Sequence, residues 1–145
     1  MPKLNKYKID FLLLNAYKQK HRHIYIMTSV ELKNLPISTL KDICRQNKIK
    51  FICLACFMKI LSKNFIQGFD GKMINIHPSL LPKYKGLDTH FRAIKNKDKF
   101  AGCTVHYVTS KLDSGKIILQ NKVKISAKDN PVSLKKKVLK QEHKL

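Results

Sequence analysis

Asn75 and His77 stand two residues apart in KMINIHPSLLP, where an apolar run ends against Pro78. This pairing suits chemistry at a carbonyl carbon. The amide can donate to an oxygen that gains negative charge, while the imidazole holds or moves a proton. If residues 72 to 77 form a strand, positions i and i+2 share a face and the two side chains converge. Pro78, Pro82 and Gly86 then make the following residues a loop leaving the strand's carboxyl end, where open α/β sheets bind ligands. A lone Asn-x-His reads more simply as a strand-end histidine bonded to backbone, so the pair alone assigns no reaction.

Other groups that could do chemistry are excluded by their setting. Cys53 and Cys56 form a CxxC, but FICLACF has the continuous apolar character of a strand, which sends i and i+3 to opposite faces. With no second CxxC and no paired histidines at ligand spacing, these thiols read as small buried apolar groups and no metal is expected. No GxSxG elbow activates a serine. All five glycines lie at positions 68, 71, 86, 102 and 115. Neither a GxGxxG nor a P-loop can therefore follow a first strand.

Positioning Asn75 and His77 falls to a strand, helix, strand unit. Residues 51 to 57 give one strand, covered on both faces as in a parallel sheet, and residues 72 to 77 give the next. Ile60, Leu61, Phe65 and Ile66 fall at helical spacing between them. Upstream, Ile37, Leu40 and Ile43 place a helix between Pro36 and about Asn47, and residues 23 to 30 are β-like. An apolar patch at residues 9 to 14 carries no motif. Downstream, Asp88 or Thr89 caps a short helix through Asn96, residues 102 to 109 alternate as a strand, and residues 117 to 125 form another. An amphipathic helix from Pro131 carries Leu134, Val138 and Leu145 on one face. The fold class expected is α/β: an open, mostly parallel sheet with flanking helices, Rossmann-like, in a single domain spanning residues 1 to 145.

With 30 basic and 9 acidic residues the formal net charge is +21. Such charge raises the question of nucleic acid. Only Arg22, Arg45 and Arg92 are arginine, and the lysines are spread along the chain, so a solvated lysine-rich surface is the better reading and a nucleic-acid partner is not expected. The field would still draw anionic small molecules. No apolar run reaches the roughly 20 residues of a membrane span, and no export signal opens the chain. Four cysteines without such a signal point to reduced thiols in the cytoplasm.

The longer strings NIHPSLLPKYKGLDTHFRAI, GCTVHYV and LDSGKIILQ resemble glycinamide ribonucleotide formyltransferase, a folate-dependent family. The similarity runs from about Cys44 to the end. It implies formyl transfer from 10-formyltetrahydrofolate, as co-substrate, to the amine of glycinamide ribonucleotide in purine synthesis. It implies Asn75, His77 and Asp113 as the catalytic set, with the oxyanion held by the Asn75 amide and a protonated His77 that passes a proton to the folate nitrogen. It places the pterin against Met58, Lys59, Ile60 and Leu61, against Asn75, and against the loop of Thr109, Ser110, Lys111, Leu112 and Asp113. Glu142 is implied as a contact to the ribonucleotide. His90 and His106 match the pattern as supporting or packing residues.

Three positions depart from the family. Lys59 replaces a usual arginine, Cys56 a usual glycine, and Asp88 a usual histidine. The family's glycine-rich phosphate loop has no counterpart before residue 68, which leaves residues 1 to 35 divergent and the sheet incomplete at its N-terminal end. Methionyl-tRNA formyltransferase, formyltetrahydrofolate deformylase and an inactive truncated remnant stand as alternatives.

Overall fold

The computed structural model describes residues 24–28, 37–55 and 61–145. Within them β1 (Ile24–Thr28), β2 (Phe51–Ala55), β3 (Lys72–His77), β4 (Phe100–Tyr107) and β5 (Ile117–Lys124) form one sheet in sequential order. The helices are α1 (Ile37–Gln46), α2 (Lys63–Gly68), α3 (Thr89–Lys95) and α4 (Pro131–Glu142). The open sheet with flanking helices is as expected, and its pairing is evenly mixed. Strands β1, β2 and β3 are parallel, whereas β4 and β5 join antiparallel. The reason lies in the connections: α1 and α2 return the chain to the same end of the sheet, while the LDSG turn joins β4 to β5 without a crossover. Among the described residues no helix is long and apolar enough to cross a membrane.

Local sequence accounts for the helix ends. Helix α1 buries Leu40 and Cys44, one turn apart. It stops where Lys48 turns left-handed at φ 52°. Lys48 N–H then donates to the Arg45 carbonyl and Ile49 N–H to the Cys44 carbonyl, at 3.2 and 2.8 Å, and the buried Ile49 seals the end. Helix α2 is shorter than the apolar spacing implied. Ser62 accepts from Phe65 N–H at 3.2 Å and starts the helix after Leu61. Helix α4 opens on a capping box between Asn130 and Ser133, with Pro131 in the first turn.

Two apolar clusters cover the two faces of the sheet. One joins Leu40, Cys44, Ile52, Leu54, Leu61, Phe65 and Met73. The other joins Ala93, Ala101, Cys103, Leu134 and Val138. Strand β4 is buried at every position from Ala101 to His106, so the expected alternation of exposed and buried positions is absent there. Ala101 and Cys103 serve the α4 cluster, while Thr104 and His106 face the other way, onto the side of Met73, Asn75 and His77. A polar patch thus continues the first apolar cluster toward the carboxyl end of β3.

Candidate active site

Asn75 and His77 occupy buried positions of β3, at 7% and 5% exposure, with Pro78 ending the strand as its fixed φ and missing N–H require. Antiparallel register sets Asn75 opposite His106 and His77 opposite Thr104. Four polar side chains therefore share one buried patch, and each has a hydrogen-bond partner. Thr104 Oγ1 donates to the Ser79 carbonyl at 2.6 Å and accepts from Leu81 N–H and from Gln120 Nε2. Those bonds hold the start of the loop after β3 against β4 and β5.

The loop then folds back over His77. Tyr84 takes a left-handed φ of 56°, and its carbonyl accepts from His77 Nε2 at 2.8 Å. Arg92 secures this turn from α3 by donating to the carbonyls of Lys85 and Leu87, with its guanidinium 5.0 Å from the Tyr84 ring centre. Asp88 sits at the N-cap of α3, but its φ of 56° turns the side chain away and it makes no capping bond, contrary to expectation.

Asp113 arrives from the turn between β4 and β5. Its Oδ2 lies 3.4 Å from His77 Nδ1 and accepts from Gly86 N–H at 2.8 Å, while its Oδ1 lies 3.6 Å from His106 Nε2. Two glycines make this approach possible. Gly86 has φ 77°, and a Cβ on Gly115 would stand 1.7 Å from the Tyr107 carbonyl oxygen. Asp113 itself is left-handed at φ 43°, a conformation that aspartate tolerates better than most side chains.

His106 completes the group. Its Nδ1 faces the Tyr107 carbonyl at 2.9 Å and its Nε2 lies 3.3 Å from Asn75 Nδ2. Burial holds the His106 imidazole below its ordinary range, against opposing pulls from the Tyr107 carbonyl and Asp113. Asn75 Oδ1 is buried with no hydrogen-bond partner among the described residues. An amide oxygen in that state costs about 1–3 kcal/mol, which a ligand bearing a donor would recover.

The other expected site residues divide. Leu61 is buried in the first apolar cluster, so only its backbone remains for a ligand. Thr109, Ser110, Lys111 and Leu112 are exposed, and Thr109 Oγ1 closes the loop on Lys111. Met58, Lys59 and Ile60 lie outside the described residues, as does Cys56. Cys53 is half-buried and free, its thiol pushed up by burial. Glu142 ends α4, where burial raises its carboxyl above the usual range and His143, His77 and Lys135 partly offset that effect. His90 has its Nδ1 3.4 Å from Thr89 Oγ1 and its Nε2 buried without a partner among the described residues, and burial, with Lys135 and His77 adding to it, lowers its imidazole pKa.

The loop carbonyl of Tyr84, the N–H of Gly86 and the Thr104–Gln120 brace were not legible beforehand. A cavity of about 470 Å³ at the opposite end of β3 is lined by Lys41, Arg45, Lys50 and Phe69, among others, and shares none of these converging groups.

Comparison with known proteins places the chain in a family. A model of the formyl transferase family matches residues 4–145, reaching well upstream of the motifs quoted above. The phosphoribosylglycinamide formyltransferase of Escherichia coli (strain K12) is 49% identical over 92 residues, covering 63% of this chain and 43% of that protein. The trifunctional purine biosynthetic protein adenosine-3 of Homo sapiens is 43% identical over 108 residues, covering 74% of this chain and 11% of that protein. A crystal structure of phosphoribosylglycinamide formyltransferase from Anaplasma phagocytophilum has a TM-score of 0.72 at 43% identity, covering 77% of this chain and 54% of that one. The chain spans about half the length of these single-function relatives.

Proposed function

Because the chain belongs to the formyl transferase family, we propose that it transfers a formyl group from 10-formyltetrahydrofolate to the amine of glycinamide ribonucleotide. The observation that carries this reading is the convergence of Asn75, His77 and Asp113 in one buried patch at the carboxyl end of β3. Similarity to two proteins named as phosphoribosylglycinamide formyltransferases, at 49% and 43% identity, favours that acceptor over others.

The folate supplies the formyl group; the chain supplies an environment for the charge that develops as the amine attacks. Asn75 has one Nδ2–H not engaged by His106 to offer the formyl oxygen, and its unpartnered Oδ1 can accept from the attacking amine. Both nitrogens of His77 face acceptors, the Tyr84 carbonyl and Asp113. The Tyr84 carbonyl anchors Nε2 and the Asp113 carboxylate stands beside Nδ1, so in this reading the His77 ring is held in place beside Asn75. Passing a proton to the leaving nitrogen requires His77 to release the Tyr84 carbonyl. The exposed backbone of the loop from Thr109 to Leu112 offers edges for the pterin, and Glu142 is the acidic group available to the ribonucleotide. The setting this reading implies is the cytoplasm.

The test is turnover of both substrates by the purified chain, followed by loss of the formylated folate's absorbance. Activity should fall by roughly 10²-fold or more in His77→Ala. Turnover unchanged by that substitution, or none by the wild-type chain, would sink the reading.

A further inference from the structure

The side chain that decides how Asn75 faces the reacting group belongs to neither partner of the Asn-x-His pair. We infer that His106 is a positioning residue, which as an Nδ1–H tautomer accepts from Asn75 Nδ2 and thereby fixes the orientation of the Asn75 amide. This inference rests on the formyl-transfer reading for its consequence, though not for its geometry.

The network determines the assignment. The Tyr107 carbonyl, 2.9 Å from His106 Nδ1, can only accept, so Nδ1 carries the hydrogen. In the neutral ring Nε2 is then a bare acceptor. The atom facing it at 3.3 Å must be the Asn75 amide nitrogen, because an amide oxygen there would set lone pair against lone pair. Both residues are buried, at 7% and 3% exposure, and stand directly opposite in the β3–β4 register, so neither can turn to water instead. Oδ1 is left on the far side of the amide, where it has no partner among the described residues.

A competing arrangement exists. A second proton on His106 would make Nε2 a donor toward Asp113 Oδ1, 3.6 Å away, and the Asn75 amide would have to reverse. Asn75 would then present its two amide N–H groups on the side where Oδ1 now stands, and would have no acceptor for the attacking amine. The facing of Asn75 thus depends on a histidine 31 positions away.

Two measurements on the whole chain test this. In ¹⁵N-labelled protein at neutral pH, the imidazole shifts should show His106 protonated at Nδ1 alone, and a scalar coupling should connect its Nε2 with Asn75 Nδ2. A His106 protonated at Nε2, or no coupling to Asn75 with both resonances visible, overturns the inference. Kinetically, His106→Leu should lower kcat by roughly 10²-fold while KM for the folate stays within about threefold. His106→Gln, whose side-chain oxygen reaches about as far as Nε2, should recover to within about 10-fold of wild type. In an Asn75→Ala background His106→Leu should cost nothing further, since non-additivity marks residues acting as a unit. A full additional loss there also overturns the inference. Absence of turnover by the wild-type chain counts against the formyl-transfer reading alone, because the scalar coupling decides the inference without it.

Discussion

The carboxylate of Asp113 lies 3.4 Å from Nδ1 of His77, with their side chains only 9% and 7% exposed. The charge on Asp113 is therefore poorly screened from the ring. Asp113→Asn keeps an oxygen for Gly86 N–H but removes that charge. Its kcat should fall by about 10²-fold or more, with folate-analogue affinity nearly unchanged. An equal loss of affinity, by calorimetric titration, would show that Asp113 binds substrate rather than supporting His77.

Burial lowers the imidazole pKa of both His90 and His106. Each then binds fewer protons folded than unfolded between its lowered value and the ordinary histidine range near 6.5. Stability should be fully present above that range and decline as pH falls through it. Urea midpoints at pH 7.5 and 6.0 should differ less in His90→Gln than in wild type. Glu142, with its pKa raised by burial, acts with the opposite sign above the usual carboxylate range, so the variant comparison is what isolates the histidine.

Gly115 admits no side chain without moving the turn, since an added Cβ would meet the Tyr107 carbonyl oxygen at 1.7 Å. Gly115→Ala should cost about 3 kcal/mol by chemical denaturation. It should also displace Asp113, so the protein that remains folded should turn over more slowly.

On the opposite face, Leu134 is fully buried against β4, and Asn130 caps α4. Leu134→Ala should cost about 3 kcal/mol and Asn130→Ala about 1 kcal/mol. Both folded variants should retain wild-type KM, because neither residue touches the polar patch. A changed KM in Asn130→Ala would show that the far face is coupled to the site.

How much was legible beforehand follows from the range of each interaction. The end of β3 at His77 was readable because Pro78 sits beside it, and the shared face of Asn75 and His77 follows from a period of two. The tail helix was readable from the spacing of Leu134 and Val138, whereas its Asn130 cap was not. The role of His106 was not, because it depends on a cross-strand register that no local pattern encodes. Likewise His77 is engaged by the backbone of Tyr84, and a carbonyl leaves no mark in residue type. Asp88 looked like a cap because aspartate so often is one, yet the left-handed turn over His77 overrode that preference. Strand β4 appeared two-sided only once α4 covered Ala101 and Cys103.

The left-handed backbone at Asp113, φ 43°, sets folding and turnover at odds within a single residue. Glycine occupies such a conformation without strain. A library of variants screened only for resistance to heat would therefore tend to collect glycine at position 113. Its hardiest survivors would lack the carboxylate beside His77, so any effort to toughen this chain has to score the proposed activity alongside melting.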